Sequence, residues 1–498
     1  MAPVGERPLF RGRIGVFIFA QSECASDAVA ATVTDILTGT YSDFIIEVVS
    51  TQDFSEWPDP RVIRRTGPLS LIEISQAKYD YLLIANAGDR FDRSFLSRCM
   101  AVADSHVAVY SDYQLGATKT VALPDWDRVW IQYQNYVQAP VFWDTSYLIT
   151  THPFVPRLDM EDARSVNWSL LRNIGRRNVA HIAAALVSIP AQDLCIHTYA
   201  PKPLYERVSI IIPTNGSDIA LLRRCLESII ARTVYPGEYE ILLLDNSRRR
   251  AAPALYDYFG QIREQDRVRY VEADIEFNWA ALNNLGVRAS ASDIFVFLND
   301  DTEVISPQWL TDLVDVFRWP SVGVVGAQLL FPDGTIQHAG VTLVPQMSGA
   351  AHIGYKKPPH TLGMWNSAPR SVAAVTGACQ AVTRAAYNSA RGFNENYLVI
   401  ASDIAFCLAV RRAGYEVAYN PMSLLYHHEM VSRKTPSYPN DTRLLWKEWG
   451  RTLKAGDPYY PNVYRKLRAG MGIFNVIWHF WTFCCACFNH LRRPPRKG

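Results

Sequence analysis

Ile294-Phe295-Val296-Phe297-Leu298-Asn299-Asp300-Asp301 is an apolar run that ends in a polar trio with two carboxylates. A continuous run, not an alternating one, marks a strand buried on both faces, as in parallel sheets covered by helices. Two upstream stretches read the same way. Val208-Ser209-Ile210-Ile211-Ile212 closes on Pro213, and Glu240-Ile241-Leu242-Leu243-Leu244 closes on Asp245. Between them, residues 218–231 place Leu221, Leu222, Leu226, Ile229 and Ile230 at helical spacing. Strand, helix and strand in alternation predict an α/β fold with a mostly parallel sheet wound by right-handed crossovers. Ligands bind such sheets beyond the carboxyl ends of the strands, which is where Asp245 and Asn299-Asp300-Asp301 fall.

The chemistry of those ends is specific. Two oxygen ligands at a strand end suit Mg²⁺ or Mn²⁺, which share their shell with substrate phosphates. The competing reading is a polar turn leading into a helix near Ser306-Pro307. Asp403 follows the turn Gly392-Phe393-Asn394-Glu395-Asn396 and opens an amphipathic stretch up to Arg412. It reads as a helix N-cap or as a general base. His427 and His428 follow a short strand, Ser423-Leu424-Leu425-Tyr426, and read as structural residues or as a metal ligand near the acidic pair.

Composition narrows the setting. A chain of 498 residues suggests two or three domains, and 49% hydrophobic with 20% charged residues builds a sizeable core. The net charge is +2 and no basic stripe carries interleaved aromatics, so no nucleic-acid partner is expected. The nine cysteines lack a disulfide-framework spacing, and Cys484, Cys485 and Cys487 have no second pair to complete a zinc site. No apolar leader opens the chain, so a cytoplasmic setting without a signal peptide is expected. Ala200-Pro201-Lys202-Pro203 reads as a linker between two α/β regions.

The order of the motifs resembles family 2 glycosyltransferases of the GT-A fold, of the bacterial O-antigen, rhamnan and exopolysaccharide type. The matching blocks are Val208 to Thr214, Leu244-Asp245-Asn246-Ser247, Phe277-Asn278 through Asn283-Asn284, and Leu298 to Asp301. Val325-Gly326-Ala327, Gln337-His338-Ala339-Gly340, Val375-Thr376-Gly377-Ala378-Cys379, Gly392-Phe393-Asn394-Glu395, Asp403 and His427-His428-Glu429 follow in order. The resemblance implies inverting transfer of a sugar from a nucleotide-sugar donor to a saccharide or lipid-linked acceptor in cell-surface polysaccharide synthesis. Asp245 would bind the nucleobase, with Pro213, Thr214, Asn215, Asn246 and Asn284 also in the donor site, and Asp300 would face the ribose or sugar. Asp301 would hold the divalent metal against the diphosphate, with His427 as a further ligand. His338, Gly377 and Ala378 would line the acceptor and sugar pocket, and Asp403 would take the acceptor's proton. The family's usual Asp-x-Asp is here Asp403-Ile404-Ala405, which keeps the first carboxylate.

The first half resembles a degenerate copy of the same module. Laid over the second, Ser50 falls at Asp245, Asp89 at Asp301 and Asn167 at the base. Tyr110-Ser111-Asp112-Tyr113 and Pro124-Asp125-Trp126-Asp127 resemble the N-terminal modules of tandem family members. The expected division is therefore a degenerate GT-A-like domain at 12–200, a catalytic domain at 205–435 and an extension at 436–498. In that extension, 471–488 is uncharged and aromatic and is followed by Arg492, Arg493, Arg496 and Lys497. It reads as an interfacial anchor on the cytoplasmic face of the membrane, a span broken by Asn475 and His479, or a core helix. Two other functions compete. One is a noncatalytic nucleotide-sugar or glycan-binding scaffold in a polysaccharide assembly complex. The other is a nucleotidyltransferase, which needs a Gly-rich loop with a basic residue where Pro213-Thr214-Asn215-Gly216-Ser217 stands.

Overall fold

The computed structural model describes residues 12–20, 26–50, 57–66, 79–116, 119–151, 162–174, 179–191, 204–247, 257–258, 260–261, 267–344, 349–428 and 439–459. The chain forms two units, Met1–Tyr199 and Ala200–Gly498. The first unit contains β1 (Ile14–Phe19), β2 (Phe44–Val49), β3 (Val62–Arg65), β4 (Tyr81–Asn86), β5 (Arg90–Phe91), β6 (Ala108–Leu115), β7 (Lys119–Val121), β8 (Val141–Asp144) and β9 (Val179–Ile189). They make one sheet in the order β3-β2-β1-β4-β8-β6-β9-β5, with β7 beside β6.

The second unit contains β10 (Val208–Thr214), β11 (Tyr239–Asp245), β12 (Val268–Glu272), β13 (Ile294–Leu298), β14 (Thr302–Val304), β15 (Val322–Leu330), β16 (Ile336–His338), β17 (Val341–Val344), β18 (Gly349–His352), β19 (Arg370–Ser371), β20 (Cys379–Thr383) and β21 (Glu416–His427). Its main sheet runs β12-β11-β10-β13-β20-β15-β21-β14, with β16 on β15, β19 on β21 and a separate β17-β18 hairpin.

Strand for strand the two orders are the same, and so is the sense of every pairing. The first four strands of each order are parallel, the β8 and β20 positions are antiparallel to both neighbours, and β9 and β21 run parallel to β6 and β15. These are two tandem GT-A-like α/β units. The register also aligns residues. Ile14 pairs with Phe44 as Val208 pairs with Tyr239, which puts Ser50 level with Asp245. Asp89 and Asp301 each stand one residue before the short strand that pairs with β9 or β21.

Local sequence explains how the second sheet is covered. Every residue of β13 is buried, as its unbroken apolar run requires. Asp218 caps the helix Ile219–Arg232 by accepting Leu221 N at 3.0 Å. The helix Trp279–Ala289 lies close on β10 at Gly286, where a Cβ would sit 2.4 Å from Ile211 Cγ2. The helix Pro439–Ala455, which falls in the expected 436–498 extension, packs Leu445, Trp449 and Leu453 against Leu343, Tyr397, Ala405 and Leu408 of the second unit. Residues 471–488 lie outside the described residues, among which no helix is long and apolar enough to cross a membrane.

In the first unit the two aspartate motifs converge on one histidine. His181 Nε2 is 2.8 Å from Asp112 Oδ1, and its Nδ1 is 3.2 Å from Asp125 Oδ1. Its ring stacks on Tyr110 at 4.9 Å. Burial opposes a charge on this ring, but the two carboxylates outweigh it and raise the histidine above its ordinary value. A raised folded value stabilises fully below about pH 6.5 and loses that contribution as pH rises through it. His181→Gln is therefore expected to cost about 3 kcal/mol near pH 5.5 and clearly less near pH 9, because it removes the cation that faces the Asp112 and Asp125 carboxylates. Thermal unfolding at the two pH values checks this, and an equal loss at both would contradict it.

Candidate active site

β10 and β11 end side by side, with Thr214 paired to Asp245. Asp245 Oδ1 accepts Ser247 N at 2.8 Å, and its Oδ2 accepts the Tyr270 hydroxyl, so the carboxylate is held at the sheet edge. Asp300 lies beside the Thr214 hydroxyl. Burial, reinforced by neighbouring Asp301, pushes its carboxyl up to about 6. Pro213 is half-buried, while Asn215 is exposed and accepts Ser217 N at 2.9 Å.

Three residues expected to touch substrate have side chains committed elsewhere. Asn246 donates both Nδ2 hydrogens, to Ala273 O at 2.6 Å and Ile275 O at 2.8 Å. Asn284 donates to Phe393 O and Glu395 Oε1 and accepts from the Tyr387 hydroxyl and Phe393 N. His338 is fully buried, with Nδ1 against His352 Nδ1 at 2.8 Å and Nε2 facing Gly340 N and Thr376 N. Burial holds its basicity well below the ordinary histidine value. Asn284 and His338 have their polar groups filled by protein, and Asn246 has both amide hydrogens taken, so these side chains brace the walls of the site.

The acidic trio meets His427, and the polarity of the contacts can be worked out. Gln337 Nε2 donates to the His427 carbonyl at 3.2 Å, so Gln337 Oε1 is the atom facing His427 Nδ1. A carbonyl there requires the imidazole proton on Nδ1. Independently, Trp279 Nε1 can only donate, and it lies 3.3 Å from Asn299 Oδ1. That turns the Asn299 amide nitrogen toward His427 Nε2, also at 3.3 Å. These contacts set a proton on Nδ1 and turn the Asn299 amide toward Nε2. Nε2 stands 3.1 Å from Asp301 Oδ1.

A carboxylate oxygen and an imidazole nitrogen at that distance are joined by a shared proton or by a bound cation. The separation is that of neighbouring ligands on an ion bound at about 2.1 Å to each. A ligating histidine whose other nitrogen donates to a fixed acceptor is also the usual arrangement around a metal. The residues therefore fit a divalent cation. Among the described residues no group of three or more His, Cys, Asp or Glu could hold an ion, so Asp301 and His427 would leave the remaining positions to phosphate oxygens and water.

Asp403 closes the other side. It is the second residue of the helix Ser402–Arg412, whose N-cap is Ala401, so the N-cap reading does not hold. Its Oδ2 accepts Gly377 N and its Oδ1 accepts Ile404 N, both at 2.8 Å. Gly377 has no room for a side chain: a Cβ would lie 2.5 Å from the Trp279 ring. Ala378 is buried and its carbonyl accepts Asn299 N at 3.1 Å. Asp403, Gly377, Trp279, Asn299, His427 and Asp301 thus form one contiguous series.

Residues 209–389 match the family described as Glycosyl transferase family 2. The second unit carries a family 2 glycosyltransferase domain. The chain is 33% identical to the uncharacterized protein y4gI of Sinorhizobium fredii over 459 residues, 79% of this chain and 49% of that one. It is 35% identical to the O-antigen biosynthesis protein RfbC of Myxococcus xanthus over 265 residues, 51% of this chain and 20% of the other. A third relative is the N-acetylglucosaminyl-diphospho-decaprenol L-rhamnosyltransferase of Mycobacterium tuberculosis, 24% identical over 42% of this chain and 73% of that protein. The chain thus spans about half or less of the length of the first two relatives.

The glycosyltransferase domain and the first unit differ at the matching place. Asp89 Oδ1 is 2.8 Å from Arg164 Nη2, with both side chains almost fully buried. A guanidinium there answers the carboxylate that in the second unit faces the His427 imidazole. Counted from the helix start, Arg164 and not Asn167 is level with Asp403, because the helix is Ala163–Leu171. Asn167 lies deeper, accepting Trp143 Nε1 at 2.9 Å and donating to Ile84 O at 3.0 Å.

Trp279, Asn299 and Gln337 lie in or beside the matching blocks, and only their side-chain contacts bring them into the site. Side chains alternate along a strand, so within β16 Gln337 faces away from the side taken by Ile336 and His338. Gln337→Leu in the glycosyltransferase domain removes the acceptor that holds the Nδ1 proton. It is expected to weaken Mn²⁺ binding by about 10- to 100-fold, as loss of an outer-shell partner typically does. Calorimetric titration with Mn²⁺ reads this directly, and an unchanged affinity would exclude Gln337 from that role.

Proposed function

We propose that the second unit transfers a sugar, with inversion, from a nucleotide-sugar donor to a saccharide or lipid-linked acceptor during cell-surface polysaccharide synthesis. The observation that carries this reading is the 3.1 Å approach of Asp301 Oδ1 to His427 Nε2, in series with Asp403. Asp245 at the strand end binds the nucleobase, and Asp300 faces the ribose or sugar. Asp301 and His427 hold the cation, which when bound offsets negative charge on the diphosphate leaving group. Gly377 and Ala378 shape the sugar and acceptor pocket.

Asp403 accepts the acceptor hydroxyl's proton as the oxygen attacks the anomeric carbon. Each of its oxygens already takes one backbone N–H, which aims the carboxylate and leaves lone pairs for that proton. The name of the rhamnosyltransferase relative describes a lipid-diphosphate-linked acceptor, which favours that class here. The first unit acts as a noncatalytic docking module, because its Asp89 is neutralised from within by Arg164. We place the protein in the cytoplasm, touching the membrane surface through 471–488.

The test is release of nucleoside diphosphate from UDP-glucose, UDP-N-acetylglucosamine, GDP-mannose and dTDP-L-rhamnose, with Mn²⁺ or with EDTA. Mn²⁺-dependent release from at least one donor is expected. Release that is indifferent to EDTA, or none from any donor, would reject the reading.

A further inference from the structure

The loop that delivers Asp403 is held from outside the matched family segment. Residues 398–400 lead into Ala401 and the helix Ser402–Arg412. Their side chains do not anchor them: Leu398 is 53% exposed, and Val399 and Ile400 are only partly buried. Their backbone amides do. Asp441, in the first turn of the helix Pro439–Ala455, is buried and accepts all three, from Leu398 N at 3.3 Å, Val399 N at 3.0 Å and Ile400 N at 3.0 Å. Two turns along the same helix, Glu448 accepts Asn394 Nδ2 at 3.0 Å and the Tyr397 hydroxyl at 2.8 Å. One helix face thus takes five donors from residues 394–400.

Directly after the clamped amides, Ala401 adopts φ 63°, a left-handed conformation that a side chain disfavours. Two residues on, Asp403 accepts Gly377 N. A conformation of this kind persists only where its surroundings over-determine it. The three amides on one carboxylate provide that constraint, and charge-assisted hydrogen bonds are the strong kind.

We propose that Asp441 is a positioning residue for the base Asp403, which makes the helix Pro439–Ala455 part of the catalytic apparatus. This rests on the reading of Asp403 given under Proposed function. Asp441 touches no reacting atom and acts by fixing the turn that aims the carboxylate.

The experiment compares full-length wild type, Asp441→Ala, Asp441→Asn, Asp403→Asn and the Asp403→Asn/Asp441→Ala double variant. Hydrogen exchange is read on peptides covering 398–404 and, as a control, β13. Asp441→Ala should speed exchange at 398–404 by at least about 10-fold and leave β13 unchanged. With Mn²⁺ and the donor found in the panel above, kcat should fall about 100-fold while donor KM stays within about twofold. Asp441→Asn, which keeps one acceptor oxygen, should restore part of both, and it carries the same test if the alanine variant does not fold. In the Asp403→Asn background, Asp441→Ala should cause no further loss.

Unchanged exchange at 398–404 overturns the proposal. So does near-wild-type kcat in Asp441→Ala when Asp403→Asn is inactive, or a full further loss in the double variant. Substantial turnover by Asp403→Asn, or none by wild type, defeats the functional reading instead, and the exchange data then decide the clamp alone.

Discussion

Asp403→Asn is expected to lower transfer by about 100- to 10,000-fold, the usual contribution of a positioned general base. An amide oxygen is far less basic than a carboxylate and cannot take a proton from a hydroxyl near neutral pH. Geometry adds to the loss. The two carboxylate oxygens accept Gly377 N and Ile404 N, whereas an asparagine can offer only one oxygen and would set its own NH₂ against the other N–H. Donor affinity should be kept, because Asp245, Asp300 and Asp301 lie on other elements. Asn167→Ala in the first unit should leave the chemical rate within about twofold, since that side chain is buried against Trp143 and Ile84. Turnover and donor KM of both variants check this. Substantial activity in Asp403→Asn with loss in Asn167→Ala would move the base to the first unit.

Asp301→Ala is expected to abolish Mn²⁺-dependent transfer without harming the fold. The side chain is 17% exposed and fills no core space, and the His428 N bond goes to its backbone carbonyl, which the variant keeps. The variant should therefore fold in EDTA with a Tm close to that of wild type. Mn²⁺ should separate the two proteins. At about 100 times its Kd, a ligand that binds only the folded state stabilises by about 2.7 kcal/mol. Wild type should show that rise in Tm and Asp301→Ala should not. An undiminished Mn²⁺ shift, or full transfer by the variant, would falsify the assignment of Asp301 to the metal.

Much of this was written locally in the chain. The apolar runs ending at Thr214, Asp245 and Asn299 determined strands buried on both faces, because an unbroken hydrophobic stretch has no side to show to water. Carboxylates at those ends, the Asp403 helix and the repeat of the whole pattern in the first half were legible for the same reason: each depends on residues close in sequence. What the sequence could not decide was which polar group faces substrate and which faces protein. Gln337 and not its neighbour His338 meets His427, because strand register chooses the face and the partner lies ninety residues away. Asn246 and Asn284 looked like substrate contacts until their partners at Ala273 and Phe393 accounted for their hydrogens. Asp89 matched Asp301 in sequence, but Arg164, distant in the chain and brought close by the fold, neutralises it. Asp441 lay beyond the expected boundary of the catalytic domain, and only packing of its helix onto the second unit brings its carboxylate to the amides before Ala401. Apolar periodicity is a property of a segment, whereas the satisfaction of a buried polar group is a property of the fold, set by atoms the chain brings together from far apart.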